Sequence, residues 1–217
     1  MKKIILKNVA QVLAALMIVS MLSPVLAFAA FDDLSSHWAK KDIEALVVQK
    51  IVDGVTPTQF EPDRSITRAE FAALVVRSLG LTSVTSSTYF SDVDALDWYA
   101  ETVSIASQAG LINGYEDNSF RPAAPVTREE MAAIVIRALT YADVATIVPA
   151  DTQKELLAQF KDSDQIVWAH KEIAAALNAK IINGMTADTF NPAGTATRAQ
   201  AAAVVNRYLP YTEGAIP

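Results

Sequence analysis

Three segments, Phe71 to Leu79, Met131 to Leu139 and Ala201 to Leu209, are apolar around most of a helical circumference. A helix without a broad polar face belongs inside a shared core. Each segment follows a similar tetrapeptide: Thr67-Arg68-Ala69-Glu70, Thr127-Arg128-Glu129-Glu130 and Thr197-Arg198-Ala199-Gln200. Thr followed three residues later by Glu or Gln is a capping box, so the three threonines are predicted helix starts. Upstream, Trp38, Ile43, Leu46, Val47 and Ile51 fall on one helical stripe, and Trp98, Val103, Ile105 and Ala109 repeat it, which predicts a first helix. The segments 54–62, 114–122 and 184–192 lack periodicity and read as loops.

The same series therefore occurs three times. Phe31-x-Asp33, Phe90-x-Asp92 and Phe160-x-Asp162 open the copies, and Trp38, Trp98 and Trp168 follow. Then come Gly54, Gly114 and Gly184, and after them Phe60-x-Pro62, Phe120-x-Pro122 and Phe190-x-Pro192. From Trp to the Thr-Arg pair the spacing is identical in every copy. The repeats run from about residue 31 to 81, 90 to 141 and 160 to 210, joined by linkers 82–89 and 142–159, the second expected to hold an extra helical turn around Lys154 to Ala158. Two helices cannot bury so much apolar surface alone. The expected fold is mainly α, with three helix-loop-helix repeats closing on one another about an approximate threefold axis. Ile66 with Phe71 and Val126 with Met131 form hydrophobic staples at the caps, whereas copy three has Ala196 and Ala201. With Gln200 in place of Glu and Gly194 nearby, the third helix start is expected to be the least ordered and its site the weakest.

Lys2, Lys3 and Lys7, an apolar run from Val9 to Leu26 and the small-x-small Ala27-Phe28-Ala29 predict a secretory signal peptide over residues 1–29. Its cleavage leaves fifteen basic against twenty-four acidic residues, a formal charge of −9. So acidic a chain argues against nucleic acid and against insertion into, or binding to, an anionic membrane once the signal is removed. The lack of cysteine excludes a disulfide framework and a thiol nucleophile. No second composition class follows the repeats, so no catalytic domain is expected in this chain.

The capping boxes explain Thr and Glu but not Arg68, Arg128 and Arg198, because a cation in the first turn faces the positive end of the helix dipole. Arginine together with free helix-start N–H groups suits a carboxylate or phosphate, which makes these three candidate ligand-binding residues. Arg77, Arg137 and Arg207, nine residues further on, suit the dipole and point to the opposite side of each helix, so they need no ligand. Trp38, Trp98 and Trp168 either stack on a sugar face or anchor the first helix to the core. Asp33, Asp92 and Asp162 are expected to cap or turn the chain. Gly54, Gly114 and Gly184 are expected to supply positive φ at the loop entrance, and secondarily to let a ligand approach the backbone. His37 and His170 do not recur and lack metal-ligand spacing, and the acidic residues around Asp92 and Glu116 lack the form of a calcium loop. No cofactor or metal is implied.

Taken together, these motifs resemble the S-layer homology (SLH) family, with Ile66-Thr67-Arg68-Ala69-Glu70 matching the family's closing motif residue for residue. The resemblance implies a three-pronged, spindle-like pseudo-trimer of helical repeats that is secreted and attached non-covalently to the cell wall or S-layer. It also implies a peptidoglycan-linked, pyruvylated secondary polysaccharide as ligand, bound in grooves between repeats with the Thr-Arg arginines gripping carboxylates. Copy two departs from the motif at Glu129, which is expected to compete with a ligand for Arg128. Copy three lacks both the Ile and the Glu, so one or two strong grooves are expected, with Arg68 or Arg128 outranking Arg198. Removing all three arginines is expected to abolish wall binding and leave the helices intact. The rival readings are a structural envelope scaffold, a direct peptidoglycan binder and a wall-modifying enzyme; the last is disfavoured because Glu70 and Glu130 are already engaged as cap partners.

Overall fold

The computed structural model describes residues 31–82 and 90–213, so the expected signal peptide lies outside the described residues. Among the described residues there are seven α-helices: α1 (Lys40–Val48), α2 (Arg68–Ser78), α3 (Ala100–Gln108), α4 (Arg128–Tyr141), α5 (Ala150–Ala158), α6 (His170–Asn178) and α7 (Arg198–Thr212). Single 3-10 turns occupy Asp32–Leu34 and Ser163–Gln165. The second linker thus holds a full nine-residue helix, longer than the single turn expected, and α7 runs past the expected repeat end at Pro210.

The long helices begin where the sequence places them. In α2 the Thr67 hydroxyl accepts from the Glu70 N–H at 3.2 Å and the Glu70 carboxylate accepts from the Thr67 N–H at 2.9 Å. The α7 start repeats this with Gln200, whose amide oxygen accepts from the Thr197 N–H at 3.3 Å. An amide oxygen serves this bond as a carboxylate does, and Ala196 and Ala201 are fully buried like Ile66 and Phe71. The third helix start is therefore built like the other two, contrary to the expectation of a weaker one.

Closure comes from exchange between repeats. The first helix of each repeat packs on the second helix of the preceding one: α3 on α2, α6 on α4, and α1 on α7. Just before the caps, the Ile66 N–H donates to the Ala196 carbonyl, Ala196 to Val126 and Val126 to Ile66, at 3.0, 2.9 and 3.0 Å, a closed ring of three bonds. The same exchange occupies the helix-start donors. Arg68 and Ala69 N–H groups go to the Ala124 and Pro122 carbonyls, Arg128 and Glu129 to Gly194 and Pro192, and Arg198 and Ala199 to Arg64 and Pro62. No first-turn N–H is left for an anion, which corrects the expectation that these groups are free. A buried backbone donor needs a partner, and here the neighbouring repeat's loop provides it.

Within each repeat, one aspartate ties the opening turn to the loop. Asp33 accepts from the Phe60 and Glu61 N–H groups, Asp92 from Phe120 and Arg121, and Asp162 from Phe190 and Asn191. The opening Phe packs on the loop Phe, with ring centroids 5.6 to 5.7 Å apart in all copies. This packing explains Gly54, Gly114 and Gly184. None has positive φ; instead a Cβ at each would collide with the ring of Phe31, Phe90 or Phe160 and with loop backbone oxygens. Close approach by the protein's own ring, not a left-handed turn, requires glycine there.

Candidate functional site

Cyclic packing opens three equivalent grooves, each lined by all three repeats. Groove I, of about 340 Å³, lies over the loop of repeat one and is lined by Gly54, Glu70, Arg77, Trp98 and Arg198. Groove II, about 240 Å³, has Gly114, Glu130, Arg137, Trp168 and Arg68 in the corresponding places. Groove III, also about 240 Å³, has Gly184, Gln200, Arg207, Trp38 and Arg128. All nine residues singled out in the sequence line a groove, three in each. Clefts with a few convergent polar groups are the usual form of a small-ligand site.

The arginines at the helix starts are buried, with Arg68 5 %, Arg128 4 % and Arg198 7 % exposed. They are clasps between repeats as well as groove linings. Arg68 donates from Nε to the Phe120 carbonyl at 2.8 Å and from Nη2 to the Asn113 carbonyl at 3.2 Å. Arg128 makes the same two bonds to Phe190 and Asn183, and Arg198 to Phe60 and Asp53. Each guanidinium also lies over the ring of the Phe whose carbonyl it holds, 4.4 to 4.9 Å from the centroid. Six carbonyls of three loops thus depend on these side chains. Removing them is therefore expected to loosen the loops between repeats as well as to weaken wall binding.

They differ at the third nitrogen. Nη1 of Arg68 is 2.7 Å from the Glu130 carboxylate, and Nη1 of Arg198 is 3.5 Å from Glu70. Glu130 accepts in addition from the Tyr115 hydroxyl at 2.9 Å, and Tyr115 lies over Arg68, 4.9 Å from centroid to guanidinium. Glu70 is gripped by Arg64 at 2.7 Å. Burial pushes the Glu70 carboxyl up, but the Arg64 hydrogen bond, the Thr67 N–H and nearby cations outweigh it and hold the group below the usual carboxylate range. Next to Arg128 stands Gln200, and Nη1 of Arg128 has no partner among the described residues. Burial pushes this guanidinium down to about 10, with the charge of Asp162 acting against the shift.

Glu129 does not compete for Arg128. Its carboxylate accepts from the Val167, Trp168 and Ala169 N–H groups at 3.0, 2.8 and 2.9 Å, capping the approach to α6 from across the repeat boundary. It thereby fixes the backbone of Trp168 at groove II. Nor do the tryptophans anchor their helices: α1 starts two residues after Trp38, and Trp38, Trp98 and Trp168 are 59 %, 63 % and 49 % exposed. Arg77, Arg137 and Arg207, read from the sequence as needing no ligand, line the grooves too. Pointing away from Arg68 on its own helix places Arg77 beside Arg198, and the other two follow by symmetry.

Fold and grooves define a helical repeat module that presents arginines and an exposed indole in each of three clefts. The chain belongs to the S-layer homology domain family, whose pattern matches residues 30–72, 89–132 and 159–202. It is 39 % identical to an amylopullulanase of Thermoanaerobacterium thermosulfurigenes over 186 residues, which is 81 % of this chain and 9 % of that protein. It is 37 % identical to exoglucanase XynX of Acetivibrio thermocellus over 81 % of this chain and 16 % of the relative. To S-layer protein sap of Bacillus anthracis the identity is 31 %, over 90 % of this chain and 23 % of the relative. The chain spans less than a quarter of the length of these relatives. Among the described residues, no helix is long and apolar enough to cross a membrane.

Proposed function

We propose that this domain is a non-catalytic anchor that holds a wall polysaccharide in the grooves between its repeats. Membership of the SLH family makes it a cell-surface, wall-associated protein. The observation that carries the ligand reading is the assembly of two arginines, an exposed indole and a glycine-edged loop in every groove, drawn from three separate repeats. An indole face packs on the C–H face of a sugar ring, and guanidinium groups beside it take carboxylates or ring hydroxyls. The pyruvate ketals implied by the family resemblance are such carboxylates. Glu70 and Glu130 lie in different grooves and are each bound to a cap and an arginine, and the second carboxylate of groove I, Asp53, faces Arg77, so the groove acids are engaged in ion pairs and caps instead of flanking one glycosidic bond. The similarity to glycan-degrading enzymes covers a small part of each and supports a shared module, not a shared activity.

The tryptophans give the cleanest test, since they contribute little to the core. Replacing Trp38, Trp98 and Trp168 by Ala together is expected to abolish sedimentation with isolated cell-wall sacculi. Each change should cost under about 1 kcal/mol of stability, as for other surface positions. Sedimentation unchanged in a folded triple variant would remove the grooves from the binding account.

A further inference from the structure

The three grooves share one design but not one charge. In groove I, Arg198 faces Glu70, Arg64 faces Glu70 and Glu61, and Arg77 faces Asp53 at 3.5 Å. In groove II, Arg68 is locked by Glu130 and covered by Tyr115, and Arg121 in turn lies 3.8 Å from the Tyr115 centroid. Groove III is lined by Arg128 and Arg207 and by no carboxylate at all. The acid whose charge bears on Arg128, Asp162, has its carboxylate engaged by the Phe190 and Asn191 N–H groups. Gln200 occupies the position of the missing acid: its oxygen serves the α7 cap, and its amide nitrogen meets only the Met185 sulfur, at 3.5 Å.

Arg128 is more than nine-tenths buried, yet its Nη1 has no hydrogen-bond partner among the described residues. No fully buried side-chain nitrogen or oxygen among the described residues lacks a hydrogen bond, so this nitrogen must keep surface open to the groove. A cation so placed, without a counter-charge, is stabilised by an anion that reaches it. From this geometry we infer that groove III alone is the acid-accepting site, taking a carboxylate-bearing sugar between Arg128 and Arg207, while grooves I and II take uncharged parts of the glycan. The inference rests on the reading of the grooves as glycan sites. It reverses the sequence expectation that the departure at Gln200 weakens copy three, because Gln200 neighbours Arg128 of copy two and not Arg198.

The chain has three tryptophans, and each lines a different groove, so the three indole N–H resonances report the grooves one by one. Titration with glucuronate, against glucose at matched concentration and ionic strength, is expected to shift the Trp38 resonance saturably with glucuronate only. Trp98 and Trp168 should respond to the two sugars alike. Q200E restores the acid found in the other grooves and should weaken the Trp38 response to glucuronate at least roughly tenfold. E130Q, which keeps a capping box of the kind Gln200 already forms, should make Trp168 respond to glucuronate. Trp98 or Trp168 responding to glucuronate as Trp38 does, a Trp38 response that survives Q200E, or no response at any indole would overturn the assignment. Sedimentation of the same proteins with sacculi separates the two claims: binding that persists while Trp38 shows no preference for the acid leaves the anchor standing and removes only the groove assignment.

Discussion

Arg68→Ala is expected to destabilise the domain by about 3–5 kcal/mol, the range for removing one partner of a buried ion pair. The loss has three sources. Glu130 keeps its Thr127 N–H and Tyr115 hydroxyl but loses its cation, the carbonyls of Phe120 and Asn113 lose their donors, and the Phe120 ring loses the guanidinium that covers it. A small domain has only about 5–15 kcal/mol in total, so the change removes a large share of it. Arg128→Ala should be milder, about 1–3 kcal/mol, because it orphans two carbonyls and no carboxylate. Urea denaturation of both variants checks the ranking. Equal losses would mean that the ion pair with Glu130 adds nothing, and a loss under about 1 kcal/mol for Arg68→Ala would remove the clasp from the account.

The second large effect is expected at Glu129. Glu129→Ala leaves three N–H groups at the start of α6 without their common acceptor and opens a gap at a 5 % exposed position, for a cost of about 2–3 kcal/mol. It should also loosen Trp168 and weaken ligand contact at groove II while sparing grooves I and III. Glu129→Gln keeps one oxygen acceptor and should recover part of the loss. Denaturation midpoints together with the Trp168 indole resonance measure both consequences. A variant with wild-type stability and an unmoved Trp168 signal would show that the carboxylate does not hold the segment.

Much of this architecture was legible because it is local. The capping boxes at Thr67, Thr127 and Thr197 depend on residues three apart, and the apolar circumference of α2, α4 and α7 needs no knowledge of what covers it. The nine candidate residues were legible for a related reason, since equal spacing in three copies marks positions that occupy equivalent surroundings. What the spacing could not show is which copy completes which groove. Arg68 reaches the loop of repeat two, so the acid or amide that faces it comes from Glu130, one repeat away from its own Glu70. Without that offset Gln200 reads as a neighbour of Arg198, and Arg77 reads as needing no ligand, although Arg77 lines the same groove as Arg198 from across the repeat boundary. Glu129 stood out as a departure from Ala69 and Ala199, but its partners lie some forty residues on, in a segment that no local pattern links to it. The tryptophans were misplaced by two residues: counted into the helical stripe, they read as half core, whereas α1, α3 and α6 begin after them.

The proposed ligand of the grooves is an acidic polysaccharide of the wall. Sedimentation of the wild-type domain with sacculi, before and after the secondary polymer is stripped from the peptidoglycan, tests it most directly. Binding to intact sacculi that disappears on stripping, with the released polymer acting as a soluble competitor that displaces the domain from intact walls, is the predicted result. Undiminished binding to stripped peptidoglycan would contradict it.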